Sequence, residues 1–286
     1  MIAAQTTGER VFTAVNYLLF GLLCVTMIYP LWYILMFSFS GEANYRSFYL
    51  LPQGFTLDVY AKVFDDGRVF TGFRNSAIIV TLGTTISMFL TIFAAFPLSR
   101  RYMYGRKAVT SFVIFTMIFN GGIIPTYLVV RAYGMVDTLW ALMLPQAVIV
   151  YNLLIMRSFF ANIPDSLIES AYIDGYNDIG ILFRIVLPLS KAVLSAVGLF
   201  YAVFIWNGFL PGLIYINDAK KLPLQTVLYN IVKSAQATEA GSNVLAMMPE
   251  AIKMATAFLT VLPILLVYPF LQKHFVKGVM LGSIKG

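Results

Sequence analysis

Between Ile163 and Leu189 the chain carries four carboxylates, Asp165, Glu169, Asp174 and Asp178, and two prolines, Pro164 and Pro188, set between long apolar runs. Carboxylates so placed can bind a metal, move a proton or pair with a cation on another protein. A zinc-type site draws on His or Cys as well as acids, and the chain has one histidine, His274, and one cysteine, Cys24, neither in this stretch, so no such site is expected here. A proton relay needs an ionisable group inside a membrane span, and no Asp, Glu or Lys falls near the middle of any apolar run. The sequence offers no Ser-His or Cys-His pair and no phosphate-cradling glycine loop, hence no catalytic centre and no means of hydrolysing ATP.

Local signals say how these carboxylates are held. Pro164-Asp165-Ser166, with Glu169 three residues after Ser166, predicts a helix start of the capping-box kind. Leu167, Ile168, Ala171 and Tyr172 then recur at helical spacing, and Gly175 sits where a left-handed residue ends a helix. Asn177 or Asp178 caps a second short helix with apolar positions Ile179, Leu182, Phe183 and Val186, which Pro188 stops or kinks. The expected unit is helix, tight turn, helix. It is too short and too acidic to cross a bilayer and belongs on the membrane surface.

The spacing resembles the coupling-loop signature of bacterial ABC importer permeases: Glu-Ala-Ala, Gly four residues after the last Ala, nine residues, then Ile-x-Leu-Pro. Glu169-Ser170-Ala171, Gly175, Ile185 and Leu187-Pro188 stand at those offsets. The chain departs from the pattern at Ser170, usually Ala, and at Ala192, where related permeases often carry a second proline. The resemblance implies an ATPase-coupling role for Ser166, Glu169, Ser170, Ala171, Asp174, Gly175, Ile185, Leu187 and Pro188, with Glu169 pairing to an arginine of the ATPase and Gly175 making the turn.

The elements that must carry this hairpin follow from composition. A hydrophobic share of 59%, a charged share of 12% and a mean hydropathy of +0.80 describe a polytopic membrane protein. Six stretches are long enough to span a bilayer, near 12–38, 74–98, 108–130, 138–157, 191–216 and 254–273. The first is too long for a signal-peptide core and lacks a cleavage site, so it is expected to be retained. The link between the second and third spans holds Arg100, Arg101, Arg106 and Lys107 with no acid, which places it in the cytoplasm. Both termini then lie inside, as does the hairpin, residues 163–189. Cytoplasmic segments carry 11 Lys or Arg against 5 acids and outer segments 9 against 8, so the short basic loop carries most of the assignment. The charge of +7 is read as topology, not as nucleic-acid binding.

Inside the membrane the informative residues are helix breakers and uncharged polar groups. Pro30, Pro125, Pro145, Pro211, Pro263 and Pro269 are expected to interrupt five of the six spans, with Gly121-Gly122 ahead of Pro125. Broken backbone at that depth is re-satisfied by neighbouring helices or lines a cavity. Asn75, Asn120, Asn152, Trp206 and Asn207 are candidates to line it, the alternative for each asparagine being a helix–helix hydrogen bond. Asn120, Asn152, Trp206 and Asn207 are the candidate substrate path, with Asn207 foremost, because Trp206-Asn207 with Pro211 resembles the fifth-span pattern of sugar permeases. Two outer loops are substantial, about 41–72 and 217–252. Tyr45, Phe48, Tyr49, Phe55 and Tyr60 in the first suit an interfacial belt or an outside partner. The second holds an expected amphipathic helix from Leu224 to Val232, then a mobile polar run from Ser234 to Asn243; by resemblance to the maltose-type permeases it probes an extracytoplasmic binding protein. The tail, residues 274–286, carries Gly278, Gly282, Lys285 and Gly286, a pattern resembling the maltose-type permease tail that reaches between two ATPase subunits; a solvated basic tail is the alternative.

The resemblance, over about residues 75–197 and the tail, implies an all-α polytopic membrane protein: six transmembrane helices with a cytoplasmic coupling helix hairpin, the ABC type I importer permease fold, in the bacterial inner membrane. It implies no bound cofactor, ATP and Mg being held on partner subunits. The implied partners are a second permease subunit, two ATPase subunits, an extracytoplasmic sugar-binding protein, membrane lipid and an oligosaccharide moved by alternating access. Uncharged polar groups and aromatics favour an oligosaccharide, while Arg131 or the outer lysines equally suit an acidic one, such as a uronate-containing chain. The rival reading is a self-contained secondary transporter or channel, for which the intramembrane charge is missing.

Overall fold

The computed structural model describes residues 7–40, 50–52, 54–65, 67–239 and 251–266. These are nearly all helical, with a single isolated bridge between Ser40 and Phe55 among them. Two compact units are present, Met1–Gly67 with Asn230–Val261 and Arg68–Tyr229 with Leu262–Gly286.

In the first unit α1 (Thr7–Ser38) runs without a break through Pro30. At 1.5 Å per residue its 32 residues reach about 48 Å, well over the thickness of a hydrocarbon core. Its most apolar window is not buried by the described residues. Such a surface must be covered by lipid or another subunit. Only the far end is packed. There α2 (Asp58–Asp65) buries Val59 and Val63, the Tyr60 and Ser38 hydroxyls meet at 2.7 Å, and Phe39 stacks on Phe55. Tyr60 thus serves packing within the chain, whereas Phe55, stacked on Phe39, is still 66% exposed. Tyr45, Phe48 and Tyr49 lie outside the described residues.

The second unit is built on α3 (Gly67–Ser99), which stays helical through Pro97. Gly72, Ser76, Ile79, Gly83, Ser87, Thr91 and Ala95 are buried at three- and four-residue spacing along one face. Small side chains let neighbours come close: a Cβ at Gly83 would meet Ile205 and Met143 at 3.1 and 3.4 Å, and one at Gly72 would meet the Leu224 backbone at 3.1 Å. Across this face the Tyr201 hydroxyl meets Thr91 at 2.6 Å and accepts the Ile149 amide at 3.1 Å.

The expected third span is not one helix. It is α4 (Arg106–Ile118) and α5 (Ile123–Ala132), bent by 114°. Asn120 Oδ1 takes the Gly122 amide at 2.9 Å, and Gly122 turns the chain at φ +83°, a conformation other residues resist. The fourth, expected at 138–157, is a short α6 (Trp140–Met143), an irregular stretch around Pro145, and α7 (Val150–Ala161). The fifth, expected at 191–216, divides into α11 (Lys191–Trp206) and α12 (Leu210–Tyr215), with Pro211 at the start of α12. Hydropathy sums over these breaks and does not see them. Pro30 and Pro263, by contrast, break nothing: α14 (Ala251–Leu266) continues through Pro263. Pro269 lies outside the described residues. Among the described residues two helices, α1 and α3, are each long and apolar enough to cross a bilayer, or up to four with the bent pairs, and α7 and α14 are shorter apolar helices.

Between α7 and α11 come α8 (Asp165–Ile173), α9 (Asp178–Ile181), a π-helical turn at Leu182–Val186 and α10 (Leu187–Leu189). The last three elements form one rod that meets α11 at 86°, just past Pro188. Beyond α12 a 3₁₀ turn (Ala219–Lys221) leads into α13 (Leu224–Glu239). Helix α13 is longer than Leu224–Val232, and the run expected to be mobile is helical from Ser234 to Glu239.

Candidate functional site

The hairpin forms where the spacing places it, with one difference at its start. Pro164 is the N-cap of α8, without a side-chain cap bond. Asp165 is already helical, Ser166 lies inside the first turn, and the Ser166 carbonyl accepts Ser170 Oγ. The capping box does not form because Pro164, at φ −55° and ψ 130°, takes the boundary position one residue pair earlier. At the other end the turn closes as a Schellman motif: the Tyr176 amide donates to Ala171 O and the Gly175 amide to Tyr172 O, both at 3.0 Å. Gly175 has φ +82°, which an L side chain adopts at a cost of about 1–2 kcal/mol. Asn177, not Asp178, caps α9, its Oδ1 accepting the Gly180 amide at 2.8 Å.

One face of the hairpin packs inward through Ile168, Ala171, Ile181, Leu182 and Val186. Ala171, expected to contact the ATPase, is therefore buried in its own chain, and Ile185 and Leu187 are half-buried. Ser166, Glu169, Ser170, Asp174, Gly175 and Pro188 are exposed. Of the expected apolar face, Leu167, Tyr172, Ile179 and Phe183 are on the exposed side. Ile173, one helical turn after Glu169, is 87% exposed. Sequence reasoning missed it, although an isoleucine out of phase with Ile168 and Ala171 was a readable signal. The exposed carboxylate of Glu169 beside an exposed isoleucine gives a small knob with a charged and an apolar half.

Three polar side chains meet at the base of this knob. Asp178 Oδ1 accepts from Tyr172 at 2.6 Å and from Tyr102 at 3.0 Å, and the two phenol oxygens are 2.7 Å apart. Burial first, and then the hydrogen bond to Asp178, push the Tyr172 phenol above its ordinary value, so it remains a donor at physiological pH. Arg184 stacks over the Tyr176 ring at 4.9 Å and donates to its hydroxyl.

A cavity of about 570 Å³ opens elsewhere in the second unit, lined by Asn120, Thr126, Gln146, Phe204, Asn207 and Tyr215 among others, with no charged residue among the described residues of its wall. Asn120 and Asn207 therefore reach it. Asn152 and Trp206 do not: Asn152 is 2% exposed and its Nδ2 has no partner among the described residues, and the Trp206 ring packs edge-on against Phe73. Asn75 is also no wall residue, because its Nδ2 holds the carbonyls of Lys220 and Leu222. Gln146 and Tyr215 were missed; Gln146, a lone amide after Pro145 in an apolar run, was the legible one.

The segment leaving the cavity is pinned by Asp137, the one described non-glycine residue at positive φ, +61°. Its Oδ1 accepts the amides of Asn217 and Asp218, and its Oδ2 meets Lys221 Nζ at 3.1 Å. The Asp218 amide and the Lys221 ammonium hold this carboxyl below its ordinary value. A depressed carboxylate contributes order above its unfolded pKa, and that contribution is lost as pH falls through the folded one. The amides of Asn217 and Asp218 are expected to show slow hydrogen exchange, relative to their intrinsic rates, at neutral pH. They should lose that protection below about pH 4, and Asp137→Ala should remove it at every pH.

Gly278, Gly282, Lys285, Gly286 and His274 lie outside the described residues.

With this geometry in hand, comparison with known proteins is specific. Residues 86–281 match the family described as binding-protein-dependent transport system inner membrane component. Protein LplC of Bacillus subtilis (strain 168) is 46% identical, over 99% of this chain and 97% of its own. The polygalacturonan/rhamnogalacturonan transport system permease protein YtcP of the same organism is 43% identical, over 97% and 99%. A chain in the crystal structure of a bacterial ABC transporter involved in the import of the acidic polysaccharide alginate superposes with a TM-score of 0.85 at 29% identity, covering 95% of this chain and 99% of that one.

Proposed function

This chain belongs to the family of binding-protein-dependent transport system inner membrane components, and from that premise we propose that it passes uronate-bearing oligosaccharides across the inner membrane by alternating access. It is the permease subunit of a carbohydrate ABC importer, a transport subunit in its own right. Its working partners are a second permease, an extracytoplasmic binding protein and two ATPase subunits, on which ATP and Mg are held. We assign six spans to it, α1, α3, α4 with α5, α6 with α7, α11 with α12, and α14, with the hairpin and both termini in the cytoplasm.

The observation that carries the coupling role is the exposed knob of Glu169 and Ile173, set by a glycine turn and held to the body of the unit by a buried apolar face. Its charge and its apolar edge suit a groove with a cation at one side. The tail residues Gly278, Gly282, Lys285 and Gly286 are assigned to the ATPase interface on the sequence pattern alone.

The substrate class rests on the relatives, one named for polygalacturonan and rhamnogalacturonan and one for alginate. Asn120 and Asn207, with Gln146 and the aromatic rings, offer hydrogen bonds and stacking to sugar rings along the cavity wall. The described residues of that wall include no cation, and burying a carboxylate without a partner is costly. The uronate groups therefore face the partner permease or water, and the ring faces and hydroxyls face this chain.

The test is a pull-down of the tagged chain from detergent-solubilised membranes, then uptake by the reconstituted complex of galacturonate oligomers against neutral oligomers of equal length. An ATPase and a second permease should co-purify, and the acidic oligomers should be taken up. A chain that purifies alone and still moves solute in liposomes overturns the importer reading, and uptake of the neutral oligomers only overturns the substrate class.

A further inference from the structure

We propose that Tyr102, Tyr172 and Asp178 form a positioning bridge that passes movement of the hairpin sideways into α3, alongside the covalent route through Pro188 into α11. The proposal rests on the coupling role assigned to the hairpin. Its starting point is that one carboxylate oxygen gathers three separate segments: the loop after α3 through Tyr102, the last turns of α8 through Tyr172, and the first residue of α9. With one proton per phenol, Tyr172 gives its own to Asp178, and Tyr102 shares its proton between Asp178 and the Tyr172 oxygen. Asp178 is not needed as a cap, because Asn177 already satisfies the Gly180 amide. Its carboxylate is thereby spared for the tertiary contact.

Two arginines stiffen the joint. Arg157 of α7 donates to Leu98 O at 2.9 Å, and Arg100, just past α3, donates in the opposite sense to Phe160 O at 3.4 Å. The end of α3 is thus tied to the chain entering the hairpin as well as to the hairpin itself, so a displacement of α8 cannot be absorbed in the connecting loop. From that end α3 runs about 50 Å without interruption, and it supplies Ser76 and Ile79 to the cavity wall. The covalent route reaches the same wall through Val203, Phe204 and Ile205 of α11, but only past the 86° bend where α10 meets α11. Coupling between distant sites needs contiguous, rigid elements, and α3 reaches the wall without such a bend.

The experiment measures uptake and ATP hydrolysis together in the reconstituted complex with its ATPases and binding protein. Asp178→Ala and Tyr102→Phe should each lower uptake per ATP by about fivefold or more, the lower end of usual coupling strengths. Asp178→Asn, which keeps an oxygen acceptor, should restore the ratio to near the wild-type value. A purely structural role would instead lower the yield of complex and leave the ratio unchanged. Tyr102 lies off the hairpin and is 61% exposed, so Tyr102→Phe decides the matter if Asp178→Ala does not assemble. Glu169→Ala is run beside them. Uncoupling by Glu169→Ala with normal ratios in Tyr102→Phe and Asp178→Ala overturns the bridge alone. Normal coupling in Glu169→Ala overturns the hairpin reading beneath it, and an Asp178→Asn complex as uncoupled as Asp178→Ala overturns the hydrogen-bond account.

Discussion

A complex carrying Glu169→Ala is expected to lose at least about tenfold in uptake per ATP hydrolysed while its permease folds as before. The two halves of this expectation have separate physical causes. Glu169 is exposed, and its side chain has no hydrogen bond or ion pair with the described residues, so its loss should change stability by no more than about 0.5 kcal/mol, as for other surface substitutions. In the coupling role proposed for the hairpin the same carboxylate pairs with an arginine of the ATPase, and truncating one member of a buried charge pair at an interface costs about 2–5 kcal/mol. Each 1.4 kcal/mol or so is tenfold in an equilibrium. Glu169→Gln keeps the shape and loses the charge and should fall between wild type and alanine. The measurements are thermal unfolding of the purified permease and the ratio of uptake to hydrolysis. A lowered unfolding temperature with an unchanged ratio would assign Glu169 to the fold instead.

Tyr201→Ala is expected to give the largest loss of stability, about 3–5 kcal/mol, the range for emptying a buried aromatic site. Tyr201 is 0% exposed, and its hydroxyl is the meeting point of α3, α7 and α11: it pairs with Thr91 and accepts the Ile149 amide at the start of α7. Tyr201→Phe separates packing from hydrogen bonding. It keeps the ring and strands the Ile149 amide, for about 1 kcal/mol. That value lies at the low end for an orphaned buried donor, because interhelical hydrogen bonds within membranes are individually weak. Thermal unfolding of both variants in detergent tests the pair. A Tyr201→Phe protein as stable as wild type would mean that the start of α7 is held by packing alone.

Much of the hairpin was legible because its determinants are local. A left-handed turn needs a glycine whatever surrounds it, and Gly175 adopts φ +82° where the spacing put it. The break at residues 119–122 was foreshadowed in the same way by Gly121-Gly122 and Pro125, although its 114° bend was not. Proline alone was a poorer guide. Pro30, Pro97 and Pro263 sit inside continuous helices, since one missing amide is tolerated when neighbouring bonds hold the turn. The capping box failed for a related reason: Pro164 set the boundary before Ser166 had the chance to do so.

The candidate path divides differently. Asn75, Asn120, Asn152 and Asn207 are equivalent in an apolar sequence, yet Asn120 and Asn207 line the cavity, Asn75 binds two carbonyls about 145 residues away, and Asn152 is sealed inside. The sequence by itself determined the polytopic helical class, the placing of the glycine turn and the exposed glutamate, because these depend on hydropathy summed over a span and on the φ preferences of single residues. Tertiary structure alone decided which amides face the cavity, that Asp178 gathers Tyr102 and Tyr172, and that Asp137 pins residues 217–221. The partner of a buried polar group is whatever folding brings within 3 Å or so of it, and that partner is often far away along the chain.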